Sequence, residues 1–160
     1  LEPWFSNRGK SLIKTPKLYM RDVGLAAFLM GITTADELTS APLVGAIWET
    51  FICGELRKAL AGETGARHLH FWRDRTKEAD FLVHAGGAFL LADAKWTEEP
   101  ETRDAKRLLQ ICDELPTGVV RRMAIICRTH DRHPLVPGTP PVEAVGPADA
   151  AGLVTGEWAG

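Results

Sequence analysis

Between Lys77 and Trp96 the chain reads KEADFLVHAGGAFLLADAKW, two apolar runs on either side of an Ala-Gly-Gly turn. Apolar runs flanking a glycine pair predict a β-hairpin, with KEADFLVH as one strand and AFLLADAKW as the next. Asp80 interrupts the first run, and Asp93 and Lys95 interrupt the second. Side chains alternate along a strand, so Glu78, Asp80 and Leu82 are expected on one face, and Phe89, Leu91, Asp93 and Lys95 on one face of the neighbour. At about 3.3 Å per residue, Asp93 and Lys95 stand roughly 7 Å apart.

Outward from the hairpin, HLHFW predicts a short preceding strand, so the three strands form a meander. Ahead of it, Val44, Ile47, Trp48, Phe51, Ile52, Leu56 and Ala59 recur at helical spacing, with Pro42 suited to the first turn and Gly62 to the stop. DVGLAAFLMGI predicts a shorter helix, with Asp22 near its start and Gly31 at its end. Beyond the hairpin, Ala105, Leu108, Leu109, Cys112 and Leu115 make a helical stripe, and GVVRRMAIICR reads as an apolar strand. The Pro- and Gly-rich remainder predicts loops and one further strand at Val142 to Val145. The order is helix, three strands, helix, strand: an α/β domain with a mixed central sheet flanked by helices.

With 160 residues, 45% hydrophobic, the chain is long enough for one domain with its own core. No run approaches the roughly 18 apolar residues of a membrane span, and the opening LEPWFSNRGK has no secretion-signal layout, so the sequence reads as cytoplasmic. Cys53, Cys112 and Cys127 are odd in number and set in apolar surroundings, which points to reduced core thiols rather than disulfides or zinc. A net charge of −2 argues against a domain whose whole surface grips nucleic acid. Local charge differs: Arg8, Lys10, Lys14, Lys17 and Arg21 form one basic run, and Arg67, Arg73, Arg75 and Lys77 a second. Either can line a groove or simply face water.

Glu49 sits within the apolar stripe of the long helix, with Ile52 and Cys53 one turn ahead, and a carboxylate there needs a partner. Two readings of the acids stand side by side. One is a buried ion-pair network in which Lys95 neutralises Asp80 or Asp93. The other is an oxygen-rich site for Mg²⁺ or Mn²⁺, with a lysine positioning water beside it.

Asp80, followed thirteen residues later by Asp93-Ala94-Lys95 and preceded by a helix bearing Glu49, resembles the PD-(D/E)xK nuclease superfamily. KTPKLYMRDVGLAAFLMGI, GAIWETFICGELRK, LHFWRDRTKEADFLV and LLADAKW together resemble the DUF4143 domain found at the C-terminus of prokaryotic AAA-type ATPases, from about Trp4 to Lys95. The family commonly has Glu-Val-Asp and Glu-x-Lys where this chain has Glu78-Ala79-Asp80 and Asp93-Ala94-Lys95. The resemblance implies a restriction-endonuclease-like αβββαβ core and a metal-dependent DNA phosphodiesterase site. Asp80, Asp93 and Glu49 would be ligands to Mg²⁺ or Mn²⁺, and Lys95 would orient the attacking water. Its alternative is a catalytically inactive module of the same fold that binds DNA or a protein partner.

The same resemblance makes residues 1–40 a linker and helical segment out of an upstream ATPase module of the same polypeptide, and 41–160 the nuclease-like domain. ATP would belong to that upstream module only. NRGKS imitates the end of a phosphate-binding loop, but Trp4 stands where its first glycine belongs and no strand precedes it. An apolar patch around Trp4, Phe5 and Leu12 is expected either to self-associate or to be covered by its own segment. His68, His70, His130 and His133 lack acidic or cysteine companions at ligand spacing, and Ser6, Ser11 and Ser40 lack a nucleophile's context. Phe71, Trp72 and Trp96 read as core or rim aromatics, with Trp96 also placed to stack on a base. Lys106 and Gln110, one turn apart, face either the site or solvent.

Overall fold

A computed structural model describes residues 1–4, 15–63 and 66–158. Phe5, Ser6, Arg8, Lys10, Ser11, Leu12 and Lys14, including the NRGKS stretch, lie outside the described residues. Asp22 caps α1 (Val23–Leu29), accepting from the Leu25 amide. A short α2 (Ala35–Ser40), which hydrophobic periodicity does not predict, is set by a capping box in which Thr34 and Glu37 satisfy each other's amides. The long helix α3 (Val44–Ala61) buries Ile47, Trp48, Ile52, Cys53 and Leu56, nearly the expected stripe, and closes at Gly62.

β1 (His68–Arg73), β2 (Glu78–Ala85) and β3 (Ala88–Ala94) follow as the antiparallel meander. Gly86 and Gly87 form the hairpin turn with φ of 56° and 82°, a left-handed pair that side chains with a Cβ resist. A 3₁₀ turn (Thr102–Ala105) leads into α4 (Lys106–Glu114), which carries the chain across to β4 (Val120–Ile126), parallel to β3. Ala105, Leu108 and Ile111 are buried there, whereas Leu109, Cys112 and Leu115 of the expected stripe are only partly covered. β5 (His133–Val136), β6 (Val142–Val145) and α5 (Pro147–Thr155) complete the chain. The six-stranded mixed sheet runs β1-β2-β3-β4-β6-β5.

Both sheet faces are covered. Phe81, Val83, Leu90, Ala92, Ala124 and Ile126 pack with α3 and α5, while Leu82, Leu91, Met123 and Ile125 pack with α4. Trp48 from α3 donates its indole N–H to the Ile126 carbonyl at 3.2 Å, anchoring the helix over the end of β4. Trp4 stacks on Trp72 and meets Phe89 edge-on, with centroids 5.6 and 5.0 Å away, so this part of the opening segment lies against the α4-side core. No helix among the described residues is long and apolar enough to cross a membrane.

The alternation of β2 breaks at Asp80. His70 pairs with Leu82 but Trp72 pairs with Ala79, so Phe71 alone stands opposite Asp80 and Phe81. This is a β-bulge, and it moves Ala79 into the α4-side core while Phe81 belongs to the α3 side. Glu78, Asp80 and Leu82 therefore do not form the continuous row that strict alternation predicts.

Two glycines test how tightly the C-terminal helix is seated. A Cβ at Gly146 would lie 2.5 Å from the Thr129 carbonyl oxygen, whereas one at Gly152, exposed within α5, would meet nothing within 4 Å. Gly152→Ala is expected to raise stability by roughly 0.5–1 kcal/mol, and Gly146→Ala to lower it by more than that. Urea unfolding of the two variants beside wild type checks the opposite signs.

Candidate functional site

The bulge turns the Asp80 carboxylate toward α3, where Glu49 projects from the second turn. Between them stands Lys17, from the irregular segment ahead of α1. Its Nζ lies 2.8 Å from Glu49 Oε1, 2.5 Å from Glu78 Oε1 and 3.1 Å from Asp80 Oδ1. The Lys17 side chain is only 12% exposed. Tyr19, two residues along the same segment, donates its phenol to Glu49 Oε1 at 2.5 Å. Arg73 grips Glu78 with two bonds of 2.7 Å. Three carboxylates are thus compensated by one enclosed ammonium and one guanidinium.

Asp93 lies beside Asp80 across the β2–β3 pair and is the buried charged side chain among the described residues, 2% exposed. Asp93 Oδ1 accepts the Asp80 amide at 3.0 Å, and Asp80 Oδ2 accepts the Ala94 amide at 3.1 Å. The backbone ladder reaches only to Phe81 and Ala92. Beyond it, each aspartate replaces a backbone carbonyl for the other strand, which satisfies amides at a parting strand pair. Asp93 continues the row of Phe89 and Leu91 on the α4 side, and Arg107 of α4 contributes to its field.

The electrostatics follow from these positions. Burial pushes Lys17 down, but Asp80, Glu49 and Glu78 more than offset it, so its ammonium is held above the ordinary lysine range. Burial, reinforced by the bond to Glu49, drives the Tyr19 phenol far up. Burial and the neighbouring Glu49 charge raise Asp80 against the pull of Lys17. Burial resists the ionised form of Glu78, yet Arg73 and Lys17 hold its carboxyl below the usual range. Asp93 is pushed up to about 7, by burial first and by Asp80 second, against the opposing charge of Lys95.

Of the four residues expected to act together, Glu49 and Asp80 meet around Lys17, and Asp93 adjoins Asp80. Lys95 acts on Asp93 through its field, and its amide donates to the Ile126 carbonyl at 2.9 Å. The lysine inside the cluster is Lys17, a member of the first basic run, and not Lys95. Glu78 and Tyr19, which lie outside the expected set of site residues, complete the arrangement. The available signal was charge balance: four acids near two strands and one helix exceed what Lys95 can neutralise.

Mg²⁺ takes oxygen ligands at about 2.0–2.1 Å in near-octahedral array. Here an ammonium fills the space among the three carboxylates, and Asp80 and Asp93 each commit an oxygen to an amide. Among the described residues no group of three His, Cys, Asp or Glu side chains is arranged to hold a metal ion. The residues as placed do not fit a divalent cation.

Around the cluster, Arg73, Asp74, Arg75, Thr76, Lys77, Glu78 and Arg107 line a cavity of about 230 Å³. Lys77 is tied to Glu114 and Asp74. Trp96 packs edge-on to Trp48 at 5.4 Å and carries the Arg128 guanidinium over its ring at 4.2 Å. Lys106 and Gln110 line a different cavity, with Thr102, Arg103, Leu109, Asp113 and Val136.

Comparison with known proteins matches two family models. Residues 44–142 match a domain of unknown function, DUF4143, and residues 1–36 match another, DUF8612. Two mycobacterial proteins, the uncharacterized protein Rv2008c of Mycobacterium tuberculosis and the uncharacterized protein Mb2031c of Mycobacterium bovis, are each 34% identical over 136 residues. Those matches cover 84% of this chain and 29% of each relative.

The raised Asp93 carboxyl makes stability depend on pH. The fold keeps a proton that the unfolded chain releases near 3.8, so its contribution is complete below that value and is lost as pH rises toward about 7. Asp93→Asn keeps an oxygen for the Asp80 amide without the charge. Its stability relative to wild type is expected to climb across that window in urea titrations, and parallel profiles would contradict the assignment.

Proposed function

Because the chain belongs to the DUF4143 family and its acid cluster encloses its own lysine, we propose that it is a nucleic-acid-binding module of restriction-endonuclease-like architecture, catalytically silent in this state. The observation that carries the reading is Lys17 Nζ among Glu49, Glu78 and Asp80, where a metal-dependent nuclease needs its cation. The order of helix, three strands, helix and strand from α3 to β4, with acids on α3, β2 and β3, supports placement in the PD-(D/E)xK superfamily.

Binding is assigned to the cavity beside the cluster. Arg75 and Arg107 line it and form no ion pair among the described residues, unlike Arg73 and Lys77. Guanidinium groups suit phosphate oxygens, and each contact releases counterions, so affinity falls with salt. DNA is the proposed ligand. The proposal also includes residues 1–40 as the lead-in from an ATPase module, residues 41–160 as the nuclease-like domain, and a cytoplasmic setting. The chain spans 29% of the length of the relatives it matches, so the activity of a whole protein is a further proposal.

A second reading, a Mg²⁺- or Mn²⁺-dependent DNA phosphodiesterase, is favoured by one observation. Asp80 and Asp93 are adjacent across two strands, with the Lys95 charge acting on Asp93. Asp80, Asp93 and Glu49 would be its ligands and Lys95 its water-orienting group.

Fluorescence anisotropy with duplex and single-stranded DNA over a salt series tests the first reading. The chain is expected to bind without divalent ions, and Arg75→Ala with Arg107→Ala to lower the salt slope by about two. Plasmid incubated with Mg²⁺ or Mn²⁺ is expected to stay intact. Nicking that disappears in Lys95→Ala would favour the second reading, and no DNA binding at low salt would sink the first.

A further inference from the structure

We propose that the outward apolar face of α1 is a dimerisation surface, on which two copies of this chain pack about a two-fold axis. The inference goes beyond the nucleic-acid reading and shares no residue with the cavity of Arg75 and Arg107.

Among the described residues, every large apolar side chain left exposed lies between Leu18 and Leu43. Such side chains scattered singly need no explanation, whereas concentration in one stretch marks a contact surface. The helix α1 is arranged in reverse of an ordinary surface helix. Its smaller residues Val23, Ala26 and Ala27 are half-buried on the side that packs toward α3. Leu25, Phe28 and Leu29, neighbours one turn apart, face outward at 45%, 67% and 68% exposure. No charged residue occurs between Asp22 and Asp36, so this face has nothing that favours water.

The segment ahead of α1 extends the patch, and the acid cluster is the cause. Lys17 and Tyr19 are held to Glu49, which turns the alternate side chains Leu18 and Met20 outward. Met30 at the end of α1 and Leu43 before α3 are exposed as well. Together these seven side chains present roughly 700–800 Å² of apolar surface, more than the largest patch of a typical monomer and about what one partner brings to a standard interface.

Charge selects the occupant. An uncharged face offers nothing to phosphate and pairs best with a face equally free of charge. A second copy supplies one. Antiparallel pairing of two α1 helices sets Leu25 of each copy against Leu29 of the other. It also carries Arg21, just before α1, toward the other copy's Asp36, just past its end, and both are exposed. A patch complementary to itself closes as a two-fold dimer rather than growing into a filament.

Sedimentation equilibrium of the full chain tests the proposal. Wild type is expected at twice the 17.5 kDa chain mass, with a Kd of about 1 μM or tighter. Leu25→Lys and Leu29→Glu are each expected to weaken association at least about ten-fold, with far-UV circular dichroism unchanged because both positions are exposed. Mixing the two variants is expected to restore association, since lysine then meets glutamate across the axis. Phe28→Ser, which removes apolar area without adding charge, is expected to weaken the dimer too, and carries the test if a charged variant fails to fold. A wild-type chain that stays monomeric up to about 100 μM overturns the proposal and assigns the face to another partner. Association unchanged in all three variants overturns it by placing the interface elsewhere, and a mixture no stronger than its components overturns the antiparallel pairing on which it stands.

Discussion

One ammonium holds this site together. Lys17 brings a positive charge from the segment before α1 into a space bounded by Glu49 of α3 and by Glu78 and Asp80 of β2. Taking ions out of water costs several kcal/mol each, repaid only when partners are close and hydrogen bonds complete. Here the repayment is shared: Lys17 donates to Glu49 and Asp80, Tyr19 gives a second bond to Glu49, and Arg73 forks onto Glu78. The arrangement joins the opening segment, the long helix and the meander, three parts of the chain whose apolar packing alone does not specify where residues 15–22 should lie.

The bulge at Asp80 makes the arrangement possible. Without the extra residue opposite Phe71, strict alternation would keep Asp80 in register with Leu82 and the α4-side core. With it, Asp80 turns to α3 while its backbone amide and second carboxylate oxygen stay linked to β3 through Asp93 and Ala94. Asp93 is the counterpart: buried, raised toward neutrality and fastened to the Asp80 amide. The β2–β3 junction thus places Asp80 toward residues 15–22 and α3 and Asp93 toward α4, with both carboxyls raised by burial.

Much of the scaffold is legible in the sequence because its signals are local. The Gly86-Gly87 turn, the α3 stripe from Ile47 to Leu56, the Asp22 cap and the β6 strand each follow from spacing within one element. α5 was hidden because Pro147 and Gly152 read as loop residues, though Pro suits a first helical turn. On α4 the buried face is centred on Leu108 and Ile111 rather than on Leu109 and Cys112, a rotation that apolar spacing alone does not set. In the site, Glu49 and Asp80 were legible as acids needing a partner, but not which partner. Lys17 is 32 residues from Glu49 and 63 from Asp80, in a segment with no periodicity to place it. The bulge is equally invisible, since it arises from pairing with Phe71 rather than from the residues of β2 alone.

The account depends on Lys17 and Glu49 being energetically coupled, and a double-mutant cycle measures that coupling most directly. Lys17→Met, Glu49→Gln and the double variant, compared with wild type by urea unfolding, isolate the pair from its surroundings. A coupling of about 1.5–3 kcal/mol is expected for an enclosed charged hydrogen bond. Additivity within about 0.5 kcal/mol would contradict the account, showing that the ammonium does not hold residues 15–22 to the helix.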